Sequence, residues 1–202
     1  ILGNKTSANT LLPKLATTDA DIGCFQELKH DSDMFKALKG RLKSGKYIHD
    51  DNETRQQWRA EGTASIRGNK GGLSAGTMIC VHPNVDIAPV PCNDGDGRDP
   101  NNPYEIKKGY LSAMIVNGWT RSRVMVASVY MDGNYIRKNK DALIDVGVKN
   151  RVTLFLLGAI AAQLALPFII MGDWNMEPKF LAQTGWLEQN GGYVAAPDQP
   201  TC

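Results

Sequence analysis

The sequence predicts a mixed α/β fold with one substantial hydrophobic core, and two observations support this class. Short apolar runs rich in strand formers alternate with stretches whose apolar residues recur every three or four positions, as expected for strands separated by helices. The chain has 202 residues, 42% of them hydrophobic, which is enough for one core and too apolar for a disordered chain. We therefore expect one domain over residues 1–202.

The first two predicted strands each close on a polar residue. Ile1 to Gly3 form the tail of a strand that ends at Asn4, and Ala20 to Glu27 form a strand that ends in the pair Gln26-Glu27. Ser32 to Leu42 is predicted to be a helix. A carboxylate, that of Glu27, therefore stands at the end of a strand.

A basic segment, Asp50 to Lys70, is predicted to be a surface loop because it has little apolar periodicity. It carries four cations and one tryptophan: Arg55, Arg59, Arg67, Lys70 and Trp58. The cations would contact phosphates and the indole would offer stacking area, although an ordinary solvated loop accounts for the same residues equally well. The net charge of +2 neither requires nor excludes a polyanionic partner.

The middle of the chain predicts three further strands. A glycine-rich segment, residues 71–76, leads into Thr77 to Val81, and such glycines indicate a bend or a close approach of the backbone. Tyr110 to Val116 and Arg123 to Tyr130 predict a hairpin around the turn signal Asn117-Gly118. The second strand of this hairpin ends at Tyr130.

The last third predicts a long helix from Asn139 to Leu166, a short helix from Phe180 to Leu187, and a final strand fragment from Tyr193 to Ala196. Val152 to Gly172 contains no charged residue and is about as long as a bilayer crossing. However, Pro167 divides it into a Leu/Ala-rich helical half and a β-branched half. We therefore expect a buried helix followed by a buried strand, and no membrane span.

The rest of the chain is organised around the stretch PFIIMGDWNMEP, from Pro167 to Pro178. Phe168 to Met171 predict a short buried strand that leads to polar residues. Because residues two apart in a strand share a face, Asp173 and Asn175 are expected to point the same way. A carboxylate beside a carboxamide at the carboxyl end of a strand is a common setting for ligand and metal sites, and a polar turn is the ordinary alternative.

The two strand-end carboxylates indicate a hard metal ion. Magnesium commonly takes one or two carboxylates and keeps water and substrate phosphate as its other ligands, and Glu27 and Asp173 fit that need. The three histidines, His30, His49 and His82, are scattered along the sequence, which argues against zinc. We therefore expect Mg²⁺, with Mn²⁺ as the alternative ion.

The four cysteines form no CxxC pair, and two of them, Cys24 and Cys80, lie inside apolar runs. A reduced thiol in such a run behaves as a small hydrophobic side chain. This pattern favours a reducing, intracellular compartment.

In their order and spacing these residues resemble the endonuclease/exonuclease/phosphatase superfamily, whose DNase I-like fold is shared by abasic-site endonucleases and the endonuclease domains of non-LTR retrotransposons. The matching pieces span nearly the whole chain: Asn4, the DIGCFQE strand, the Gly71-Gly72 strand, the SVY strand and the MGDWN segment. The resemblance implies a four-layer αββα sandwich with a metal-dependent phosphoester hydrolysis site at one edge.

The resemblance also implies a role for each strand-end residue. Glu27 would bind magnesium with help from Asn4, and Asp173 would position or activate the attacking water. Asn175 would orient Asp173 or a phosphate oxygen, and Tyr130 would lie against the scissile phosphate or its leaving oxygen. These roles suit the chemistry, since carboxylates hold hard metals and neutral donors stabilise charge that develops on phosphate oxygens.

The sequence departs from the family pattern in two places. Family members continue to a strand with another aspartate and then to a terminal Asp-His pair, and this sequence contains neither. The segment after the tyrosine reads YMDGN, without the proline common there. We therefore expect a domain that lacks its last strands and has little or no turnover alone.

The leading functional hypothesis is a nuclease-like phosphodiester hydrolase that acts on nucleic acid as a monomer, on DNA rather than RNA. It is supported by the cations Arg55, Arg59, Arg67 and Lys70 together with Trp58. The alternatives are a phosphomonoesterase or lipid-headgroup phosphatase on the same fold, and a non-catalytic interaction module.

Overall fold

The computed structural model describes residues 20–45, 57–67, 71–90, 110–118, 122–133 and 147–195. Within these residues the chain forms, in order, β1 (Ile22–Phe25), α1 (Ser32–Ser44), β2 (Arg59–Thr63), β3 (Ile66–Arg67), β4 (Leu73–Ser74), β5 (Thr77–Val81), β6 (Asp86–Pro89), β7 (Leu111–Asn117), β8 (Arg123–Tyr130), α2 (Val148–Leu164), β9 (Phe168–Asp173), α3 (Pro178–Gln183) and α4 (Trp186–Gln189). Strands and helices are mixed along the chain, which confirms the predicted α/β class.

The chain divides into two compact units. The first comprises Ile1–Tyr130 and Leu166–Asp173, and the second comprises Met131–Ala165 and Trp174–Cys202. The first unit therefore contains all the described strands and α1, and the second contains α2, α3 and α4. The prediction of a single domain over residues 1–202 stays a prediction.

The first unit is built on two main sheets. One has the strand order β1-β5-β2 and is antiparallel throughout, and the other has the order β6-β7-β8-β9, in which β8 and β9 are parallel. β3 and β4 form a separate two-stranded ribbon. The parallel pairing of β8 with β9 brings the carboxyl ends of these two strands to the same edge of the sheet.

The two main sheets pack on each other through apolar side chains. Ile79 and Val81 of β5 are fully buried in one cluster with Met114 of β7 and Val126 of β8. Interior polar groups are paired between the sheets, since the hydroxyls of Thr77 and Ser112 lie 2.6 Å apart. Because unpaired buried polar atoms are costly, these bonds favour one relative placement of the two sheets.

Helix α1 covers the outer face of the three-stranded sheet. Its buried residues Phe35, Leu38 and Leu42 recur three or four positions apart, which is the spacing of one helical face. Asp31 caps the helix by accepting a bond from the Met34 amide, and Gly45 ends it in a left-handed conformation. The predicted helix from Ser32 to Leu42 is therefore confirmed.

The prediction of a surface loop with an exposed tryptophan is wrong for the described part of Asp50 to Lys70. Trp58 is 1% exposed and belongs to the cluster between α1 and the sheet, and Arg59 begins β2. The sequence signal failed because a single large aromatic among charged residues carries no periodicity. Its indole packs in the hydrophobic core and is not accessible for stacking on a base.

The hairpin around Asn117-Gly118 is confirmed. β7 and β8 pair antiparallel from Leu111↔Val129 to Asn117↔Arg123. The Gly118 amide donates to Ser122 O at 2.7 Å where the chain turns back. The predicted strand from Thr77 to Val81 is confirmed as well, as β5.

The strand at the centre of PFIIMGDWNMEP forms as predicted, but it is only half-buried. β9 lies at the end of the order β6-β7-β8-β9, so among the described strands it has one neighbour. The Ile169 side chain is 52% exposed. A continuous apolar run was interpreted as burial on both faces, whereas this side chain is largely open to solvent.

The second unit is organised around α2, which ends at Ala165 in a left-handed conformation. The predicted helix from Asn139 to Leu166 is confirmed for its described part, and residues 139–146 lie outside the described ranges. Inside this unit the Trp186 indole donates to Leu154 O at 2.7 Å, and Gly158 gives the indole room. Across the described residues, no helix is long and apolar enough to span a membrane.

The end of the second unit differs from the prediction. The stretch Phe180 to Leu187 contains parts of two short helices, α3 and α4, instead of one. Tyr193 to Ala195 form no strand, and Ala196 lies outside the described residues. The short Tyr-Val-Ala segment has strand-forming residues, but propensity alone does not form a strand without a neighbour to pair with.

Candidate active site

The first component of the site is the turn that follows β1. Glu27 has φ 53° and Lys29 has φ 54°, so two residues with side chains occupy the left-handed region within three positions. Such conformations cost on the order of 1–3 kcal/mol each and persist where surrounding contacts hold them. Leu28 lies between them and is 1% exposed, which anchors the turn to the core.

The second component is Tyr130, the last residue of β8. Its hydroxyl donates a hydrogen bond to Oε1 of Glu27 at 2.7 Å, and its ring stacks on Tyr110 with centroids 6.0 Å apart. Partial burial raises the pKa of the Tyr130 phenol above its usual range, and the bond to Glu27 and the negative charges of Glu27 and Asp173 raise it further. Tyr130 is therefore a neutral hydrogen-bond donor at neutral pH.

The third component is Asp173, the last residue of β9. It is the Cα partner of Tyr130 in the parallel pairing of β8 with β9. Its negative charge, like that of Glu27, helps to raise the pKa of the Tyr130 phenol. Three of the residues predicted from strand ends thus meet at one edge of the first unit.

Two residues that sequence reasoning did not single out for this role join the strand ends. Gln26 Nε2 donates to Ser128 Oγ at 2.8 Å, and Ser128 Oγ donates to Phe25 O at 3.2 Å. These bonds tie the end of β1 to the end of β8 immediately before Glu27 and Tyr130. The available signal was the position of each, one or two residues before a predicted site residue.

Lys29 is a further residue that the sequence argument missed. Its Nζ lies 3.8 Å from Oε1 of Glu27, the same oxygen that accepts from Tyr130. A lysine beside the Glu27 carboxylate supplies positive charge that a phosphate would meet at the same edge. Its only sequence signal is that it lies two positions after Glu27.

Asn175 belongs to the second unit, and its prediction needs correction. Strand β9 ends at Asp173, and Asn175 has φ 48°, so strand alternation does not extend to it and does not place it on the face of Asp173. Within the second unit its Nδ2 donates to Met131 O at 2.9 Å, and Gly133 lies against its carboxamide.

The predicted cation set is only partly described. Arg59 donates through its guanidinium to the carbonyl oxygens of Val85 and Pro83, so it serves the fold of the first unit. Arg67 is exposed in β3. Asn4, Arg55 and Lys70 lie outside the described residues.

The donor set can be tested against the metal that the sequence predicts. Within the described ranges, no three His, Cys, Asp or Glu side chains are grouped as a metal site. The described residues therefore contain no cluster of the kind that binds zinc. The site itself offers two carboxylates, those of Glu27 and Asp173. One or two carboxylates with water and phosphate are what magnesium commonly takes, so the residues fit this ion.

The fold and the site define a class of protein: a mixed α/β unit with two packed sheets and an acidic site where strands end. The family model described as "Endonuclease/Exonuclease/phosphatase family" matches residues 1–192, and the chain belongs to this family. Its members are phosphoester hydrolases, and the fold is the DNase I-like one.

No curated protein sequence matches the chain. Among solved structures, the chain is similar to that of ANGEL2, a 2',3'-cyclic phosphatase, with 14% sequence identity and a TM-score of 0.48. The similarity covers 95% of this chain and 53% of that chain, so this chain spans about half the length of that protein.

Proposed function

We propose that the protein is a metal-dependent phosphodiester hydrolase of the nuclease type, which uses Glu27 and Asp173 on a nucleic-acid phosphate. The observation that carries the proposal is the Tyr130 phenol, which donates to Glu27 at 2.7 Å and carries a raised pKa caused partly by both carboxylates. Family membership supplies the reaction class, phosphoester hydrolysis.

Each residue of the first unit has a role in this proposal that its chemistry supports. Glu27 would hold Mg²⁺, or Mn²⁺ in its place, and Asp173 would orient a water and accept its proton. Tyr130, which stays protonated at neutral pH, would orient Glu27 through its hydroxyl and lie against the scissile phosphate or its leaving oxygen. Lys29 would neutralise phosphate charge. The bound ion would act as a Lewis acid that stabilises charge on the phosphate oxygens.

Two asparagines keep the roles that the family resemblance implies. Asn4 would help Glu27 with the metal, and Asn175 would orient a phosphate oxygen. Both roles rest on their place in the sequence motifs. Arg55, Arg67 and Lys70 would contact the backbone of the nucleic acid, DNA in preference to RNA. Arg59 contributes less to this proposal, because its guanidinium is engaged by carbonyl oxygens of its own unit.

We also propose a reducing, intracellular location. Cys24 and Cys80 carry free thiols on neighbouring strands. Burial raises the pKa of Cys24 to about 12 and raises that of Cys80 still further above the usual range. Both thiols therefore stay protonated, and neither supplies a nucleophile or a soft metal ligand.

Metal binding is the direct test, because it does not depend on turnover. Mn²⁺ titration followed by electron paramagnetic resonance would compare the wild-type chain with Glu27→Gln. We expect one Glu27-dependent site and a loss of affinity on the order of ten-fold or more in the variant. Glu61→Gln is the matched control, since Glu61 is an exposed strand glutamate that pairs with Lys39. Equal affinity of the wild type and Glu27→Gln would refute the proposal.

Substrate class is tested separately by binding. Fluorescence anisotropy would measure the affinity for a labelled DNA duplex, the matched RNA and a phosphorylated lipid headgroup at several salt concentrations with Mg²⁺ present. We expect DNA to bind best, with an affinity that falls steeply with salt as phosphate contacts require. Preference for the headgroup would favour the lipid phosphatase, and no binding to any of the three would favour the interaction module.

A further inference from the structure

The turn that carries Glu27 is backbone-strained and needs contacts that hold it. Glu27 and Lys29 both have left-handed φ angles, 53° and 54°. Strain of this kind persists only where neighbouring groups determine the conformation. Burial of Leu28 fixes the middle of the turn. The backbone N–H and C=O groups that follow Leu28 still need hydrogen-bond partners.

Ser65, in the segment between β2 and β3, satisfies these peptide groups. The His30 amide donates to Ser65 Oγ at 3.0 Å, and the Ser65 amide donates to His30 O at 2.8 Å. The Ser65 hydroxyl in turn donates to Ala75 O at 2.9 Å. One serine thus accepts from and donates to the Glu27 turn and extends the contact to the loop before β5.

The loop before β5 holds the same turn from a second direction. The Leu28 amide donates to Gly76 O at 3.3 Å. Gly76 has φ 93°, and a Cβ added there would meet Ser65 Oγ and would lie 3.2 Å from the Leu28 Cβ. Ala75 is also left-handed, with φ 59°. Ser65, Gly76 and the Glu27 turn are therefore packed as one set of backbone contacts.

We propose that Ser65 is a positioning residue for Glu27: its hydroxyl and amide hold the strained turn so that the carboxylate is oriented before a metal arrives. Ser65 touches neither the carboxylate nor the reacting groups and acts through the backbone of His30. The inference rests on the proposed function, because it assigns Ser65 a role in the metal affinity of Glu27.

The variant Ser65→Ala tests this role. It removes the side-chain oxygen that accepts from the His30 amide and the hydroxyl that donates to Ala75 O. The Ser65 amide that donates to His30 O is retained. Loss of a partner that orients a metal ligand typically costs on the order of ten-fold in affinity, and we expect the Mn²⁺ dissociation constant to rise by about that factor. The affinity is measured in buffer in which circular dichroism shows each variant folded, so that lost stability alone does not change it.

The matched control is Ser44→Ala. Ser44 is an exposed serine whose hydroxyl donates to a backbone carbonyl, Arg41 O, at the end of α1. It therefore loses a comparable bond, and we expect its Mn²⁺ affinity to equal that of the wild type. Unchanged affinity in Ser65→Ala, together with lost affinity in Glu27→Gln, would overturn the inference and leave the proposed function standing. Equal affinity in Glu27→Gln and the wild type would overturn both.

Amide hydrogen exchange gives a second readout that needs no variant. In the metal-free wild-type chain we expect the amides of Leu28 and His30 to be protected, because Gly76 O and Ser65 Oγ accept from them. In Ser65→Ala, exchange at His30 should accelerate about ten-fold or more while the strand amides of β5 keep their rates. Unprotected amides at Leu28 and His30 in the wild type would overturn the inference even if Ser65→Ala did not fold.

Discussion

The bond between Tyr130 and Glu27 yields the sharpest prediction, because it joins two of the three site residues of the first unit. Tyr130→Phe removes only the hydroxyl and keeps the ring that stacks on Tyr110. Glu27→Ala removes the carboxylate that accepts the bond from the Tyr130 hydroxyl. A double-mutant cycle over these two changes isolates the energy of the pair from the effect of each change alone.

The structure sets the expected magnitude of the coupling energy. The bond is 2.7 Å long and runs from a neutral donor to a carboxylate, a type that contributes about 1.5–3 kcal/mol when it is well shielded. The Glu27 side chain is 28% exposed, so water replaces part of the lost bond in each single variant. We therefore expect a coupling of about 1–1.5 kcal/mol in the free energy of unfolding, at or just below the lower limit of that range.

Urea denaturation followed by circular dichroism at neutral pH measures the four free energies of unfolding. A parallel cycle over Lys39→Met and Glu61→Gln is the control, because these side chains form a 2.8 Å salt bridge but are 35% and 56% exposed. That pair should couple by about 0.2–1 kcal/mol and weaken with salt. A Tyr130–Glu27 coupling within about 0.3 kcal/mol of zero would refute the geometry on which the proposed site depends.

Three other perturbations test further contacts. Because burial and the nearby carboxylates raise the pKa of Tyr130, absorbance at 295 nm should show one tyrosine that ionises above the usual range, and this transition should be missing in Tyr130→Phe. The stability that the protonated phenol contributes is complete below its unfolded pKa, near 10, and is lost as pH rises through the higher folded value. Gly172→Ala should destabilise the first unit strongly in urea, since its new Cβ would meet Val129 O of the neighbouring strand, whereas Gly40→Ala, with open space around the site, should not. Asn150→Ala should cost about 1–3 kcal/mol in thermal unfolding, since Asn150 is 2% exposed and bonds both the amide and the carbonyl of Asp132; a loss below about 0.5 kcal/mol would contradict these bonds.

Much of the fold was predictable because its strands carry strong local signals. The strand predicted from Ala20 to Glu27 forms over Ile22–Phe25 and ends before Glu27. The hairpin around Asn117-Gly118 and the strand before Asp173 form as well, since turn residues and apolar runs specify them within a few positions. The same local signals placed polar residues at strand ends. Glu27, Tyr130 and Asp173 were predicted on that basis, and the structure brings them to one edge.

The errors arise where local pattern and tertiary packing conflict. Trp58 stands among charged residues and was assigned to a surface loop, but the face of α1 needs a large apolar partner and the indole supplies it. Asn175 was placed by extending strand alternation two residues beyond Asp173, where the backbone instead turns left-handed. Neither a packing partner nor a change of backbone region can be inferred from residue spacing.

The bond between Glu27 and Tyr130 shows a different limit of sequence reasoning, since both residues were predicted for one site and the hydrogen bond between them was not. They are 103 positions apart, and what brings them together is the packing of one sheet on the other. That packing is fixed by side chains with weak sequence signals, such as the Gln26–Ser128 bond and the paired hydroxyls of Thr77 and Ser112. The role of Ser65 was equally hard to predict from the sequence, because its bonds to His30 and Ala75 link segments that are 35 and 10 residues away. A sequence therefore indicates which residue types a site contains, whereas their orientation depends on ordinary serines, threonines and glutamines that only the folded chain identifies.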